Sequence, residues 1–402
     1  MHYSRPARAL VRGLAAPLAL GGLFGGLAAG VGPAAVASAA ASAAACQVQG
    51  SPPPVSPPRD SQLHGVAVIS SCDAWAVGLN DSQILTEHFN GSAWKVIPGP
   101  KDLAGNLLGV SAVSTSSVYA VGTLLKNNAQ LPLILHWDGQ AWTPQGIPGL
   151  TQNGFLRSVT AVSATDVWAA GDAFVPGTNR SEPLILHFDG SAWTRMPALP
   201  VGRPTNDIRT SAVSATSSHD AWVVGTVLNF FRQDQDLPFI LHWNGSGWTR
   251  SGLPILGETG LPALTKGADL LGVAARTPDD AWAVGSAGPE PGQTLILHWN
   301  GLIWVPVPSP SPGGLAGDDF LRSVTATSPS SAVAVGQFTT PTGTRGLLLR
   351  WDGTRWHQAP IASSATFTTL LAVDADSPGD DWAVGFTENV GSPDKVFAVH
   401  GF

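Results

Sequence analysis

DVWAAGDAFVPGTNRSEPLILHFDGSAW (166–193) decides the fold. It opens on a short apolar run closed by Gly171 and crosses a polar stretch rich in Gly, Pro and Asn. It then re-enters an apolar run at Leu184 and turns through Asp189-Gly190 into Trp193. Apolar runs bounded by Gly, Pro, Asp and Asn are the signature of short strands, and Asp-Gly between two of them marks a tight hairpin. With SVTAVS just upstream, the segment holds four strand-like runs, at 158–163, 166–171, 184–189 and 192–197.

Two phrases from this stretch recur along the chain. The first reads DAWAVG (73–78), SVYAVG (117–122), DVWAAG (166–171), DAWVVG (220–225), DAWAVG (280–285), SAVAVG (331–336) and DDWAVG (380–385). The second follows as EHFNGSAW, LHWDGQAW, LHFDGSAW, LHWNGSGW, LHWNGLIW and LRWDGTRW, and ends as a shortened VHGF. The closing glycines of the first phrase, Gly78 to Gly385, lie 44, 49, 54, 60, 51 and 49 residues apart. A period of about fifty residues carrying four strands is that of a propeller blade. The expected fold is all-β: a seven-bladed β-propeller of four-stranded antiparallel blades spanning 46–402. The last unit stops after its third strand, so CQVQG (46–50) is expected to supply the fourth and close the ring. Residues 46–60 thus read as a closing strand followed by a Pro-rich linker.

Composition points the same way. With 46 Gly and 33 Pro among 402 residues and only 12% charged residues, the chain lacks the Glu, Lys and Arg that helical surfaces require. At 44% hydrophobic it is too apolar to stay disordered. Its net charge of −7, with no basic stripe, argues against nucleic acid and anionic membrane surfaces as partners.

The first 45 residues carry Arg5, Arg8 and Arg12, then an uncharged Gly/Ala/Leu run, then small residues around Ala37, Ala39 and Ala43. That is the order of a secretory signal peptide, so 1–45 is read as one and the protein is expected to be secreted, extracellular or cell-surface associated. An uncleaved anchor is the alternative, although the run is only weakly apolar and no second span follows. A monomer with no membrane span after cleavage is expected. Export permits a disulfide between Cys46 and Cys72. Lipid attachment at Cys46 is the competing reading, but Ala43 stands where a lipobox has Leu.

The pattern WAVG…LILH…DG…W resembles the repeats of photosystem II assembly-factor propellers and of the Asp-box propellers related to sialidases. The resemblance covers 64–402, with His where the Asp-box has Ser or Thr two residues before Asp. Families built from such repeats include enzymes, lectins and assembly factors, so the resemblance implies a fold and no single function.

Spacing separates two faces. The stretch from strand A through the A–B turn to the strand B glycine is ten residues in six units and thirteen in the fourth, and the C–D turns are constant. The B–C and D–A connections vary, and in an up-and-down blade these share one face. Variable connections on a rigid scaffold are where binding sites are built. That face is therefore the candidate site, with the 254–269 insertion and the tip Phe230-Phe231-Arg232 as its most distinctive parts.

All 15 Trp fall at repeat-equivalent positions, which predicts packing between blades and not a ligand platform. The strand C histidines His88, His136, His187, His242, His298 and His400 are too far apart for a metal cluster, and each is expected to bond a neighbouring turn. Asp73, Asp166, Asp220, Asp280 and Asp380 are expected to accept turn amides. Arg157 and Arg322 occupy equivalent places in FLRSVTA at the variable end, with His64 matching them in the first unit and Arg209 one residue out of register. These cations suit a carboxylate or sulfate; the alternative is ion pairing between blades with Asp207, Asp269, Asp318 or Asp319. The acids of the variable face, Asp234, Asp236, Glu258, Asp269, Glu290, Asp318 and Asp319, are the candidates for glycoside hydrolysis or lyase chemistry. No nucleophile elbow, phosphate loop or zinc motif is present, and Tyr119 stands in place of a strand B Trp. The expectation is a non-catalytic propeller without cofactor or metal that binds an extracellular glycan or protein. A carbohydrate-active hydrolase or lyase is the alternative, and a structural cell-surface or assembly protein a third.

Overall fold

The computed structural model describes residues 54–57, 60–101, 103–150, 152–178, 180–197, 207–228, 236–253, 267–288 and 291–401. They form seven antiparallel sheets. Strands β1–β4 (Ser61–Ser70, Asp73–Asn80, Gln83–Phe89, Trp94–Val96) make blade one, and β5–β8 (Gly105–Ser114, Ser117–Lys126, Ala129–Trp137, Trp142–Pro144) blade two. Blade three is β9–β12 (Gly154–Ser163, Asp166–Phe174, Ser181–Phe188, Trp193–Arg195), and blade four β13–β16 (Asp207–Ser217, Asp220–Leu228, Leu237–Trp243, Trp248–Arg250). Blade five is β17–β20 (Asp269–Thr277, Asp280–Ala287, Gln293–Trp299, Trp304–Pro306), and blade six β21–β24 (Asp319–Ser328, Ser331–Thr340, Gly343–Trp351, Trp356–Gln358). Blade seven has three strands among the described residues, β25–β27 (Phe367–Ser377, Asp380–Glu388, Lys395–His400). The seven-bladed propeller is as the repeats predict; the expected closing strand at 46–50 lies outside the described residues.

Each inner strand carries a β-bulge at the same place. Near the start of each first strand, pairing skips one residue: His64, Leu108, Arg157, Ser211, Leu271, Arg322 and Leu371. A bulge leaves its extra residue outside the ladder and re-aims its side chain. The kink also pushes a carbonyl of the inner strand against the recurring glycine of the second strand. A Cβ on Gly78 would stand 1.9 Å from the Gln62 carbonyl oxygen, and the other six glycines of this position are equally obstructed. The repeated glycine and the repeated bulge are one device.

Pairing also corrects the alignment of blade four. Ala215, not Ala212, faces the start of its second strand, at Ala221. Two alanines three residues apart fit the pattern equally well in sequence, and only the ladder separates them. The A–B stretch is therefore constant in all seven blades.

The outer ends are held by aromatics and His–Asp pairs. The strand D Trp of each blade stands edge-on against the strand B Trp of the preceding one: Trp142 on Trp75, Trp248 on Trp168, Trp304 on Trp222 and Trp356 on Trp282 at 86–90°. Trp193 meets Tyr119 in the same way at 77°. Edge-to-face contact suits the ring quadrupoles and adds to the area buried. The indole N–H groups of Trp137, Trp243, Trp299 and Trp351 donate to A–B turn carbonyls of their own blades. The expected turn-capping role of the aspartates is replaced by another. Asp73, Asp166, Asp220, Asp280 and Asp380 each bond the strand C histidine at 2.7–2.8 Å. Each of those histidines lies against the strand B Trp of its blade. Blade six substitutes Arg350, which reaches Asp381 of blade seven at 3.2 Å.

Candidate binding site at the channel mouth

The seven bulge residues ring one end of the axial channel, and together with Arg209 they line a cavity of about 630 Å³. The bulges lie where first strands begin and second strands end, so this is the face of the B–C and D–A connections. The structure brings His64, Arg157 and Arg322 together at this mouth, as their equivalent places in the repeats predict. Arg209 differs from expectation. Ser211 holds the bulge in blade four, which puts Arg209 two residues upstream, opposite Thr226, yet its side chain still reaches the cavity.

The cations are engaged unequally. Arg157 lies over the Phe155 ring at 4.3 Å and donates through Nε and Nη2 to Asp172, each at 3.4 Å. Asp172 also accepts the Thr210 amide at 2.7 Å and is buried, which pushes its carboxyl up to about 6. Arg209 approaches Asp269 of the next blade at 4.0 Å. Arg322 reaches only the side-chain carbonyl of Gln337, at 3.4 Å, and its buried Nε has no hydrogen-bond partner. Burial, followed by the charge of Arg209, holds the Arg322 guanidinium below its ordinary value, and burial does the same to Arg157. His64 is held by Asn106 at 2.9 Å, the Leu107 carbonyl at 3.1 Å and Gln62 at 3.0 Å. Its burial lowers its pKa, with Arg322 adding to the effect.

The expected ion pairs between blades are only partly formed. Asp269 takes Arg209, but Asp207 instead accepts the Ser181 amide and hydroxyl. Asp318 accepts the Gly292 amide at 2.9 Å. Asp319 is fully buried and receives the Gly313 amide on both oxygens at 3.1 Å; burial raises its carboxyl to about 6. These two acids hold the loop over blade six in place. Asp172 was missed because nothing in the sequence pairs it with Arg157, fifteen residues upstream; only the ladder does. Phe230, Phe231, Arg232 and most of the 254–269 insertion lie outside the described residues, as does Cys46, the expected partner of Cys72 in the blade-one turn.

The connections around the mouth are less loop-like than their lengths suggest. In blades one, two and six the B–C link is a two-residue turn, at Asp81-Ser82, Asn127-Asn128 and Pro341-Thr342. Asp81, Asn127 and Asn128 adopt positive φ, as tight hairpins demand. Extra length there goes into longer strands. Tyr119 is buried and donates to the Ala164 carbonyl in the A–B turn of blade three, on the constant face. Among the described residues no group of three or more His, Cys, Asp or Glu is placed to hold a metal ion, and no helix is long and apolar enough to cross a membrane.

These features define a seven-bladed β-propeller with a cationic channel mouth. No protein-family model and no curated protein sequence matches the chain. Among solved structures, YCF48 from Cyanidioschyzon merolae has a TM-score of 0.53 at 13% identity, covering 86% of this chain and 97% of that one. YCF48 bound to a D1 peptide gives 0.52 at 14%, covering 87% and 96%. A PL25 ulvan lyase bound to -[GlcA(1-4)Rha3S]- gives 0.52 at 12%, covering 86% and 96%. The chain therefore shares the propeller fold of the photosystem II assembly factor that its repeats resemble.

Proposed function

We propose that this protein is a secreted, non-catalytic β-propeller that binds a glycan or protein partner through its channel mouth and the connections around it. One observation carries the reading: Arg157, Arg209, Arg322 and His64 converge on a single open cavity, while five carboxylates described at or near it have partners in the scaffold, Asp374 through the Val68 amide. Asp172 and Asp269 face arginines, and Asp318 and Asp319 accept backbone amides. General acid–base catalysis needs a carboxylate within reach of a substrate proton. Glycoside hydrolysis needs two, facing each other across the scissile bond. Among the described residues, the engagement of these acids by the scaffold favours binding over catalysis.

The test is a panel of polysaccharides and extracellular proteins assayed for both retention and turnover. Retention without turnover, weakened by Leu271→Trp at the mouth, is the expected result. Turnover abolished by Asp318→Asn or Asp319→Asn would replace this reading with a hydrolase or lyase. Retention indifferent to Leu271→Trp would defeat the face assignment. Export by the 1–45 segment and a Cys46–Cys72 bridge belong to the same proposal. Intact mass of the exported protein checks both, and a diacylglyceryl adduct on Cys46 would overturn the bridge.

A further inference from the structure

We infer that the channel mouth is an oxyanion seat, with Arg322 as its main donor, and that the ligand it takes is an anionic glycan presenting a sulfate ester or a uronate carboxylate. The inference rests on the binding reading above and narrows its ligand. Three guanidinium groups stand around one cavity against two facing carboxylates, Asp172 and Asp269, while the carboxylate in the cavity lining itself, Asp374, is taken up by the Val68 amide and the Thr325 hydroxyl, on a chain whose net charge is −7. Gathering like charges in a partly desolvated site is costly unless an opposite charge completes it. Arg322 is the least compensated of the three: an amide oxygen at 3.4 Å, an idle buried Nε, and Phe320 beneath its guanidinium at 5.5 Å. A sulfate or carboxylate oxygen supplies what this fork lacks, and a planar guanidinium matches either bidentately. Ser211, whose buried Oγ has no hydrogen-bond partner, adds a neutral hydroxyl to the same rim. Leu108, Leu271 and Leu371 are set between the polar positions and give the non-polar face of a sugar ring somewhere to rest.

An extended peptide fits less well. Peptides add to sheets through free strand edges. Below the mouth, the inward amides of the first strands are already taken by neighbouring blades. Ser111 accepts from Ala161, Ser158 from Val213, Ser214 from Ala275, Ser323 from Val373 and Asp374 from Val68. Among the described residues, these bonds interrupt the inner edges that a peptide strand at the mouth would have to join.

The experiment measures binding of the full chain to chondroitin 4-sulfate tetrasaccharide, its desulfated counterpart that keeps the uronates, and neutral cellotetraose. Inorganic sulfate serves as a minimal probe. Arg322→Gln is expected to weaken the charged ligands at least tenfold and Arg322→Lys less, while Arg355→Gln on the opposite face leaves affinity within twofold. Loss of affinity on desulfation assigns the seat to sulfate; retention assigns it to the uronate. The inference falls if the charged tetrasaccharides bind no tighter than cellotetraose, or if Arg322→Gln leaves their affinity unchanged. It also falls if a peptide ending in a free carboxylate binds in the same Arg322-dependent way and the glycans do not. Cellotetraose binding that Leu271→Trp removes and Arg322→Gln spares would overturn the anion seat while leaving the binding face intact. No Leu271-dependent binding of any probe defeats both.

Discussion

Trp94 in the first blade stands edge-on against Trp382 in the last, ring centroids 5.0 Å apart and planes at 89°. It is the same contact that joins the other blades, now bridging the two ends of the described chain. Around it, Leu63, Val66, Leu85 and Phe89 of blade one pack with Val384, Val396 and Ala398 of blade seven. Trp94→Ala is expected to cost about 3–5 kcal/mol, the range for emptying a buried aromatic site. Trp351→Ala, at a half-exposed ring, is expected to cost well under half of that. Urea unfolding of both variants checks the ranking; equal losses would mean that the seam contributes no more than a rim aromatic.

The same seam carries a buried acid. Glu87 is fully buried, accepts the Val55 amide at 2.9 Å through one oxygen, and leaves the other without a partner. Five other blades place leucine at this ladder position: Leu135, Leu186, Leu241, Leu297 and Leu349. Burial pushes the Glu87 carboxyl from 4.5 up to about 7, opposed by the Val55 hydrogen bond. A folded-state pKa above the unfolded one means stability fully present below pH 4.5 and lost as pH rises through 7. The loss amounts to about 3 kcal/mol by proton linkage. Glu87→Leu is therefore expected to stabilise the protein at pH 8 by more than at pH 4.5. Denaturant titrations at the two pH values decide it: an equal gain at both would remove the carboxyl as the cause.

Blade number, strand order, the tryptophan positions and the variable face were all legible, because each is written as a repeat and seven copies average out local ambiguity. What stayed hidden depends on ladder register. The bulge that aims Arg157 and Arg322 into the mouth leaves only an indirect trace, the recurring glycine opposite it. Arg209 was misaligned because Ala212 and Ala215 are interchangeable until Ala215 is paired with Ala221. The His–Asp pairs join strand C to the start of strand B across 15 to 22 residues, a range that varies from blade to blade. Nothing in the sequence marks Glu87 as buried, since EHF reads as a weak copy of LHF.

The glycine opposite Arg322 ties stability to the site. A Cβ on Gly336 would stand 1.9 Å from the Phe320 carbonyl oxygen, a backbone atom that can yield only by breaking the bulge. Gly336→Ala is expected to destabilise by about 3 kcal/mol, the upper part of the overpacking range. It should also weaken anion binding by displacing Arg322. Gly146→Ala, where nothing lies within 4 Å of the added carbon, should leave both unchanged. Binding that survives Gly336→Ala intact would show that the bulge does not position Arg322.

Blade seven supplies the strongest internal argument for closure by the N-terminal segment. Every strand B aromatic is met by a strand D Trp of the following blade, and the one strand B without an aromatic is that of blade six, where Val333 stands. Its neighbour would be the missing fourth strand of blade seven. The segment expected there, CQVQG (46–50), has no Trp either, so both members of the aromatic pair are absent at the same place. Residues 54–57 already lie near the position such a connection would occupy, with Val55 bonded to Glu87. Val48→Pro, which cannot donate to a ladder, leaves that connection unaltered. If 46–50 pairs with β27, the substitution removes a ladder hydrogen bond and should cost about 1–3 kcal/mol and expose the β27 amides to hydrogen exchange. A melting temperature and a β27 exchange rate equal to those of the parent chain would refute closure by this segment.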